Sequence, residues 1–312
     1  MISTQEYYHS NGKLLITGEY LILKGALSLA VPTLPGQSLQ VETDKDSNTW
    51  KWTVMEQGRV IQELILDRSL QILQSLNPSF SSDFLLKVWK ELLALNPDLL
   101  ATLPGLSFTS NLEFEFRHGL GSSSSLLNNM AQWGKVDPFE LHFNSTNGSG
   151  YDVACAGAES PILYRLESDK KPNIEKATFY PPFRKNLYFV YLGQKQNSSL
   201  SVKEFLRTNK SYEYEANLIS EITQEMLQAN RLDDFNHLLR EHEQIVGSIL
   251  RAKPIQQEYF GRFEGQIKSL GAWGGDFALI SWPHEKIELS AYLSAKNLKQ
   301  LFSFDELIKS SE

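Results

Sequence analysis

With one cysteine, Cys155, in 312 residues, no disulfide can close within the chain, and a cytoplasmic location is the simplest expectation. Long apolar runs are lacking as well. Stretches such as residues 21–23 and 277–280 fall far short of the ~20 residues a membrane helix needs. Residues 1–10 hold no apolar segment of the kind a signal peptide requires. Positive charge is also scarce: 30 Lys and Arg stand against 37 Asp and Glu, a net charge of −7. That balance argues against nucleic acid as a partner, because phosphate backbones are met by clustered cations. It leaves room for a nucleotide, which a few local donors can hold. There is no internal repeat and no low-complexity run. What the chain does have is apolar and aromatic material, 41% hydrophobic with 17 Phe, 12 Tyr and 6 Trp. That is enough to build the core of one large domain or two ordinary ones.

Hydrophobic periodicity divides the chain. Residues 14–17, 20–24 and 28–31 read as short strands, and 37–42, 49–55 and 60–66 alternate as half-buried strands do. Residues 69–76 and 83–95 show helical spacing, with Phe84, Leu85, Val88, Trp89 and Leu92 on one face. Residues 106–116 read as one or two strands, 122–133 and 138–143 as helices, and 162–166 as a strand. A Lys- and Pro-rich stretch, 168–184, marks a boundary, giving domains 1–170 and 171–312. Beyond it lie a strand at 186–191, helical patterns at 202–208, 212–229, 232–249 and 255–270, and a strand at 277–282. A strand and a helix are expected within 287–307. Mostly sheet followed by helices on a smaller sheet predicts an α+β protein in two lobes.

Four stretches could carry chemistry. Gly119-Leu120-Gly121-Ser122-Ser123-Ser124 follows a strand and opens a helix. Its glycines let the backbone approach a phosphate, and a helix N-terminus offers unpaired N–H donors. It reads equally well as a Ser-rich N-cap after a tight turn, and it is not a Walker loop, because no Gly-Lys-Ser/Thr follows. In residues 11–20, Lys13 precedes an apolar strand and Glu19-Tyr20 follows Gly18; charges at strand ends are usually just solvated. In residues 147–154, Asp152 begins a small-residue helix. It either caps that helix or, facing a cleft, orients or deprotonates a hydroxyl. Residues 271–277 hold Gly274 and Gly275 in a turn that also reads as a glycine C-cap.

The order of these stretches resembles the GHMP kinases, the superfamily of galactokinase, homoserine kinase, mevalonate kinase and phosphomevalonate kinase. Gly12-Lys13-Leu14-Leu15-Ile16-Thr17-Gly18-Glu19-Tyr20 and Gly119-Leu120-Gly121-Ser122-Ser123 are the most specific parts, and Gly-Glu-Tyr looks most like the mevalonate and phosphomevalonate kinases. The resemblance spans residues 13–280. It implies a two-lobed fold, with an N-terminal ribosomal-protein-S5-like lobe and a C-terminal ferredoxin-like lobe. It implies ATP and Mg²⁺ as cofactors, with Gly119, Leu120, Gly121, Ser122, Ser123 and Ser124 around the phosphates. Asp152 would be the catalytic carboxylate, with Lys13 steadying developing charge. Glu19, Tyr20, Gly274 and Gly275 would contact substrate.

Two departures from the family pattern follow. The interval from Gly119 to Asp152 is short, so the helices that usually supply an acidic metal ligand are reduced. Glu140 is the remaining candidate to join Ser123 on Mg²⁺, or else it is a surface glutamate. Trp273 stands where the family carries small residues, either narrowing the acceptor pocket or packing. The resemblance implies a cytoplasmic kinase, monomer or homodimer, that phosphorylates mevalonate. The alternatives are phosphomevalonate as acceptor, a related ATP-dependent decarboxylase, and a non-catalytic ligand-binding relative. Arg117, His118 and Lys195 are candidates to meet an anionic acceptor.

Overall fold

The computed structural model describes residues 5–44, 47–77, 82–99, 105–193, 198–208, 210–271, 273 and 276–310. They form two compact units that interleave along the chain. Unit 1 takes residues 1–12, 35–116 and 120–157, and unit 2 takes 13–34, 117–119 and 158–312. The Lys- and Pro-rich stretch 168–184 thus falls inside unit 2.

In unit 1 the strands run β1 (Gln5–Leu15, through residue 12), the latter part of β2 (Ser28–Asp44), β3 (Trp50–Glu56), β4 (Arg59–Leu66), β5 (Ile72–Ser75) and β6 (Gly105–Leu112). The sheet order is β5-β4-β3-β6-β2, with β3 and β6 parallel and the other pairs in that path antiparallel. Helices α1 (Asp83–Leu95), α2 (Ser122–Gly134), α3 (Pro138–Ser145) and α4 (Tyr151–Ala156) complete it. The expected face of α1 is the buried one: Leu85, Val88, Trp89 and Leu92 all point into the core. There Trp89 lies 4.8 Å from Trp50, 5.0 Å from Phe108 and 5.4 Å from Trp133, ring centre to ring centre. Edge-to-face geometry at the last two contacts is the arrangement that aromatic quadrupoles favour.

Unit 2 holds the start of β2, β7 (Ile162–Leu166) and β8 (Pro172–Lys176), paired in that order. A second, antiparallel sheet runs β10-β11-β9-β12, from β9 (Leu187–Tyr191), β10 (Gln266–Leu270), β11 (Phe277–Ser281) and β12 (Leu301–Ser303). The helices are α5 (Ser198–Arg207), α6 (Glu213–Gln228), α7 (Leu232–Leu250), α8 (Lys286–Ala295) and α9 (Phe304–Leu307).

Several sequence expectations fail for identifiable reasons. Residues 69–76 are not helical. The Asp67 carboxylate accepts the N–H groups of Ser69 and Gln71, Leu70 takes a left-handed φ of 64°, and the chain emerges as β5. Residues 20–24 form a 3₁₀ turn, Leu21–Lys24, which left-handed Gly25 closes. Residues 28–31 and 37–42 are one strand. Pro32 and Pro35 fall between the residues paired with β7 and those paired with β6, where those two ladders need no donor. The helix expected over 255–270 is a short π turn, Gln256–Phe260, followed by β10. Gly261 breaks it with a φ of 46°, and Gly265 passes so close to β11 that a Cβ would lie 1.9 Å from the Ser281 carbonyl. The tail does hold the expected strand and helix: β12 and then α9, with α8 before them.

Because Trp89 fills the centre of the unit 1 core, Trp89→Ala is expected to cost about 3–5 kcal/mol. Urea unfolding followed by circular dichroism measures that loss.

Candidate active site

The glycine-rich loop leaves unit 2 at Gly119 and enters unit 1 at Leu120. Gly119 and Gly121 both have left-handed backbones, with φ of 69° and 95°. At Gly119 this is compounded by crowding: a Cβ would lie 2.5 Å from the Asp276 carboxyl carbon. The Gly119 carbonyl accepts a hydrogen bond of 3.0 Å from Lys13 Nζ. His118, just before it, is buried, with Nε2 3.0 Å from Gln300 Oε1 and its ring 4.7 Å from that of Tyr191. Tyr191 in turn donates its hydroxyl to the Arg117 carbonyl. The start of the loop is therefore tied to β9 and to the turn before β11. His118 is committed to this anchoring, while Arg117 stays exposed.

Gly121 is the N-cap of α2, and no side chain caps the helix. The first-turn N–H groups have no intrahelical acceptor. The Ser122 and Ser123 side chains are half-buried and exposed respectively. Ser124 is buried and turned back, its hydroxyl donating to the Gly121 carbonyl at 3.0 Å. The serines are thus unequal: Ser122 and Ser123 face outward at a bare helix N-terminus, and Ser124 shapes the loop. Backbone donors together with the helix dipole suit an anion such as a phosphate.

Asp152 lies in the first turn of α4, half-buried, after left-handed Gly150. Glu140 is exposed in the first turn of α3, which Asp137 caps by accepting the N–H groups of Phe139 and Glu140. Among the described residues no group of three His, Cys, Asp or Glu gathers to hold a metal ion. Gly274 and Gly275, like Lys195, lie outside the described residues. Trp273 packs rather than opens: its ring sits against Gly247 of α7, where a Cβ would come within 2.9 Å. An open cavity of about 410 Å³ at the C-terminal end of α7 is lined by Gln244, Arg251 and Lys253 among others, and none of the expected site residues borders it.

Glu19, expected to meet substrate, is enclosed instead. It is 1% exposed and bonded through Oε1 to Lys268 Nζ, itself fully buried. His242 Nε2 accepts the Gly18 N–H at 3.0 Å, which requires that nitrogen to carry no proton. Burial and the Lys268 charge hold the His242 pKa well below its usual value, so its 3.2 Å approach to Glu19 Oε2 is no ion pair. Burial also pushes the Glu19 carboxyl up, against the opposing pull of Lys268. Glu243, next to His242 on the buried stripe of α7, is itself buried, with the Ile255 and Ser269 backbones against its carboxyl. Tyr20 is half-buried with a φ of 63°, and its ring lies 5.5 Å from that of Phe205. Burial raises its hydroxyl pKa against hydrogen bonds with the Ser201 side chain and the Trp273 backbone. Neither Asp276 nor the Lys268 cluster was evident from the sequence. A lysine within the otherwise apolar end of the 255–270 pattern is the signal that could have found the latter.

No protein-family model matches the chain, and none of the curated proteins does. Solved structures do. Mevalonate kinase of Methanococcus jannaschii aligns with a TM-score of 0.69 at 17% identity, over 96% of this chain and 97% of that one. L. major mevalonate kinase in complex with R-mevalonate aligns at 0.67 and 14%, over 96% and 95%. Streptococcus pneumoniae phosphomevalonate kinase in complex with phosphomevalonate and AMPPNP aligns at 0.67 and 18%, over 97% and 100%. The fold of this chain is that of these solved mevalonate and phosphomevalonate kinases.

The buried cluster gives a pH signature. Burial, with Glu19 adding to it and Lys268 opposing, pushes Glu243 up from the ordinary 4.5 to about 8. A raised carboxyl pKa means stability is full below pH ~4.5 and falls as pH rises toward ~8. Glu243→Gln should therefore be more stable than wild type at pH 8, by on the order of 4 kcal/mol, with the gap closing as pH falls to 4.5. Thermal melts across that range measure it.

Proposed function

We propose that the chain is an ATP-dependent kinase of the GHMP type, transferring the γ-phosphoryl group of ATP to a small anionic alcohol, with mevalonate the preferred acceptor. One observation carries the reading. The left-handed glycines lead into a start of α2 whose first-turn N–H groups, among the described residues, no capping side chain receives, the arrangement that holds a nucleotide phosphate. The sequence resemblance and the shared fold support it, and AMPPNP is bound by a protein of that fold, the pneumococcal phosphomevalonate kinase.

Phosphoryl transfer needs positioning and charge neutralisation more than covalent chemistry. In this reading the N–H groups of Ser122 and Ser123 bind phosphate oxygens, and Ser124 holds the loop closed. Lys13, which anchors Gly119 through its carbonyl, adds positive charge at the start of the loop. Asp152 orients the acceptor hydroxyl and takes its proton. Glu19 is left out of the substrate set, because Lys268 engages it. Magnesium would be met by the Ser123 hydroxyl, with Glu140 as the acidic candidate. So small a donor set suits an ion held chiefly by phosphate oxygens and water. When bound, Mg²⁺ would neutralise charge on the transferred group.

A coupled assay for ADP release, run over mevalonate, phosphomevalonate, homoserine and galactose, tests the reading. Turnover is expected with mevalonate above the others; no turnover on any of them, with ATP binding intact, overturns it. Asp152→Ala should lower kcat at least ~10³-fold while sparing ATP affinity measured by calorimetry, about the loss expected for removing a proton-accepting group. Near-normal turnover in that variant would show that another group accepts the proton.

A further inference from the structure

A chain of buried polar side chains runs through unit 1 beneath α2. Ser10, on β1, donates its hydroxyl to Asn129 Oδ1 at 2.7 Å and accepts from Asn128 Nδ2 at 2.9 Å. Asn129 Nδ2 donates to the Gln37 carbonyl at 2.8 Å. The Gln37 side chain then works in two directions. Its Nε2 donates to Ser110 Oγ at 2.6 Å, and its Oε1 accepts from Ser125 Oγ at 2.6 Å. The Ser125 hydroxyl also lies 2.8 Å from the carbonyl of Gly121, the N-cap of α2, and 3.4 Å from that of Ser122, so its proton is shared between the Gln37 side chain and the start of the helix.

The other end of the chain reaches α4. Asn11, adjacent to Ser10, donates through Nδ2 to the Ala156 carbonyl at 3.2 Å. The Asn128 amide packs on Gly157, where a Cβ would lie 3.5 Å from Nδ2. Ala156 and Gly157 close the single short helix that carries Asp152.

All these side chains are buried, Ser125 and Asn129 completely. None of them is among the buried polar atoms that lack a partner. A polar network of this kind adds little net stability over an apolar core of the same shape, since each bond replaces one to water. What it supplies is a fixed geometry, because any shift of one member leaves others unpaired in a low-dielectric interior.

We infer that the Ser10–Asn128–Asn129–Gln37–Ser125 network is a positioning brace that fixes the glycine loop at Gly121 relative to the helix of Asp152. Its effect on turnover rests on the kinase reading above; its mechanical role does not. Ser10 is the joint where the two arms meet. It is distant in sequence from both the loop and Asp152 and belongs to neither. Ser10→Ala removes two bonds and one oxygen, and Ser10→Thr keeps the hydroxyl.

The test is amide hydrogen exchange on wild type, Ser10→Ala, Ser10→Thr and a control, Val88→Ala, which loosens the α1 core without touching the network. Ser10→Ala should speed exchange about tenfold or more at the bonded amides of both 125–128 and 154–157, which begin with Ser125 N–H to the Gly121 carbonyl and Ala154 N–H to the Gly150 carbonyl, and Ser10→Thr should restore protection at both. Acceleration confined to the neighbours of Ser10, or spread over unit 1 as in Val88→Ala, overturns the brace. Should Ser10→Ala fail to fold, Ser110→Ala breaks the Gln37 arm and is read the same way. In kinetics, Ser10→Ala should lower kcat about tenfold with the ATP KM held within about twofold, since small misplacement of reacting groups is costly to the chemical step. An unchanged kcat counts against the brace. A wild-type enzyme that turns over no acceptor counts against the kinase reading, and the exchange result still decides the brace.

Discussion

The carboxyl group of Asp276 occupies the space that any side chain at residue 119 would need, and the backbone there is left-handed as well. Those two conditions admit glycine and little else. Much of the candidate site follows from this constraint. Gly119 is pressed against Asp276 and its carbonyl is held by Lys13, which fixes the chain at the start of the loop. A second left-handed glycine, Gly121, then turns it into α2 without a capping side chain. Had a Ser or Asp stood at the N-cap, its oxygen would have accepted from the first-turn N–H groups that the proposed function assigns to a ligand.

The serines after Gly121 show how one residue type divides its tasks. Ser124 and Ser125 turn inward and close on the Gly121 carbonyl. Ser122 and Ser123 remain at the surface of the turn. The inward pair makes the loop rigid, and the outward pair leaves it accessible. In unit 2 the opposite choice is made around Glu19. A conspicuous carboxylate next to a glycine is withdrawn from solvent and neutralised by Lys268, while His242 stays uncharged to receive the Gly18 N–H. This cluster secures the turn that follows the Lys13 strand, at the energetic cost that buried charge always carries.

Legibility in the sequence followed the physics of each element. Helix α1 was readable to its last residue, because its apolar face repeats at helical spacing and nothing tertiary competes. The turn into α2 at residues 119–124 was legible as two glycines and a run of serines before a helix. Residues 69–76 misled, because their apolar spacing is helical while an Asp67-centred turn and a left-handed Leu70 forbid a helix. Residues 255–270 misled in the same way, their apolar spacing interrupted by Gly261 and Gly265, the second set by contact with a distant strand. Partners far apart in sequence could not be read at all: Asp276 against Gly119, Lys268 against Glu19, Gln37 against Ser125. Glu19 looked accessible because a sequence shows a charge and hides what covers it.

The central claim is that the uncapped start of α2 receives the phosphates of ATP. A crystal structure of the chain with AMPPNP and Mg²⁺ tests it most directly. The account predicts phosphate oxygens within hydrogen-bonding distance of the amide nitrogens of Ser122 and Ser123. Nucleotide bound elsewhere, with those amides facing only solvent, would contradict it.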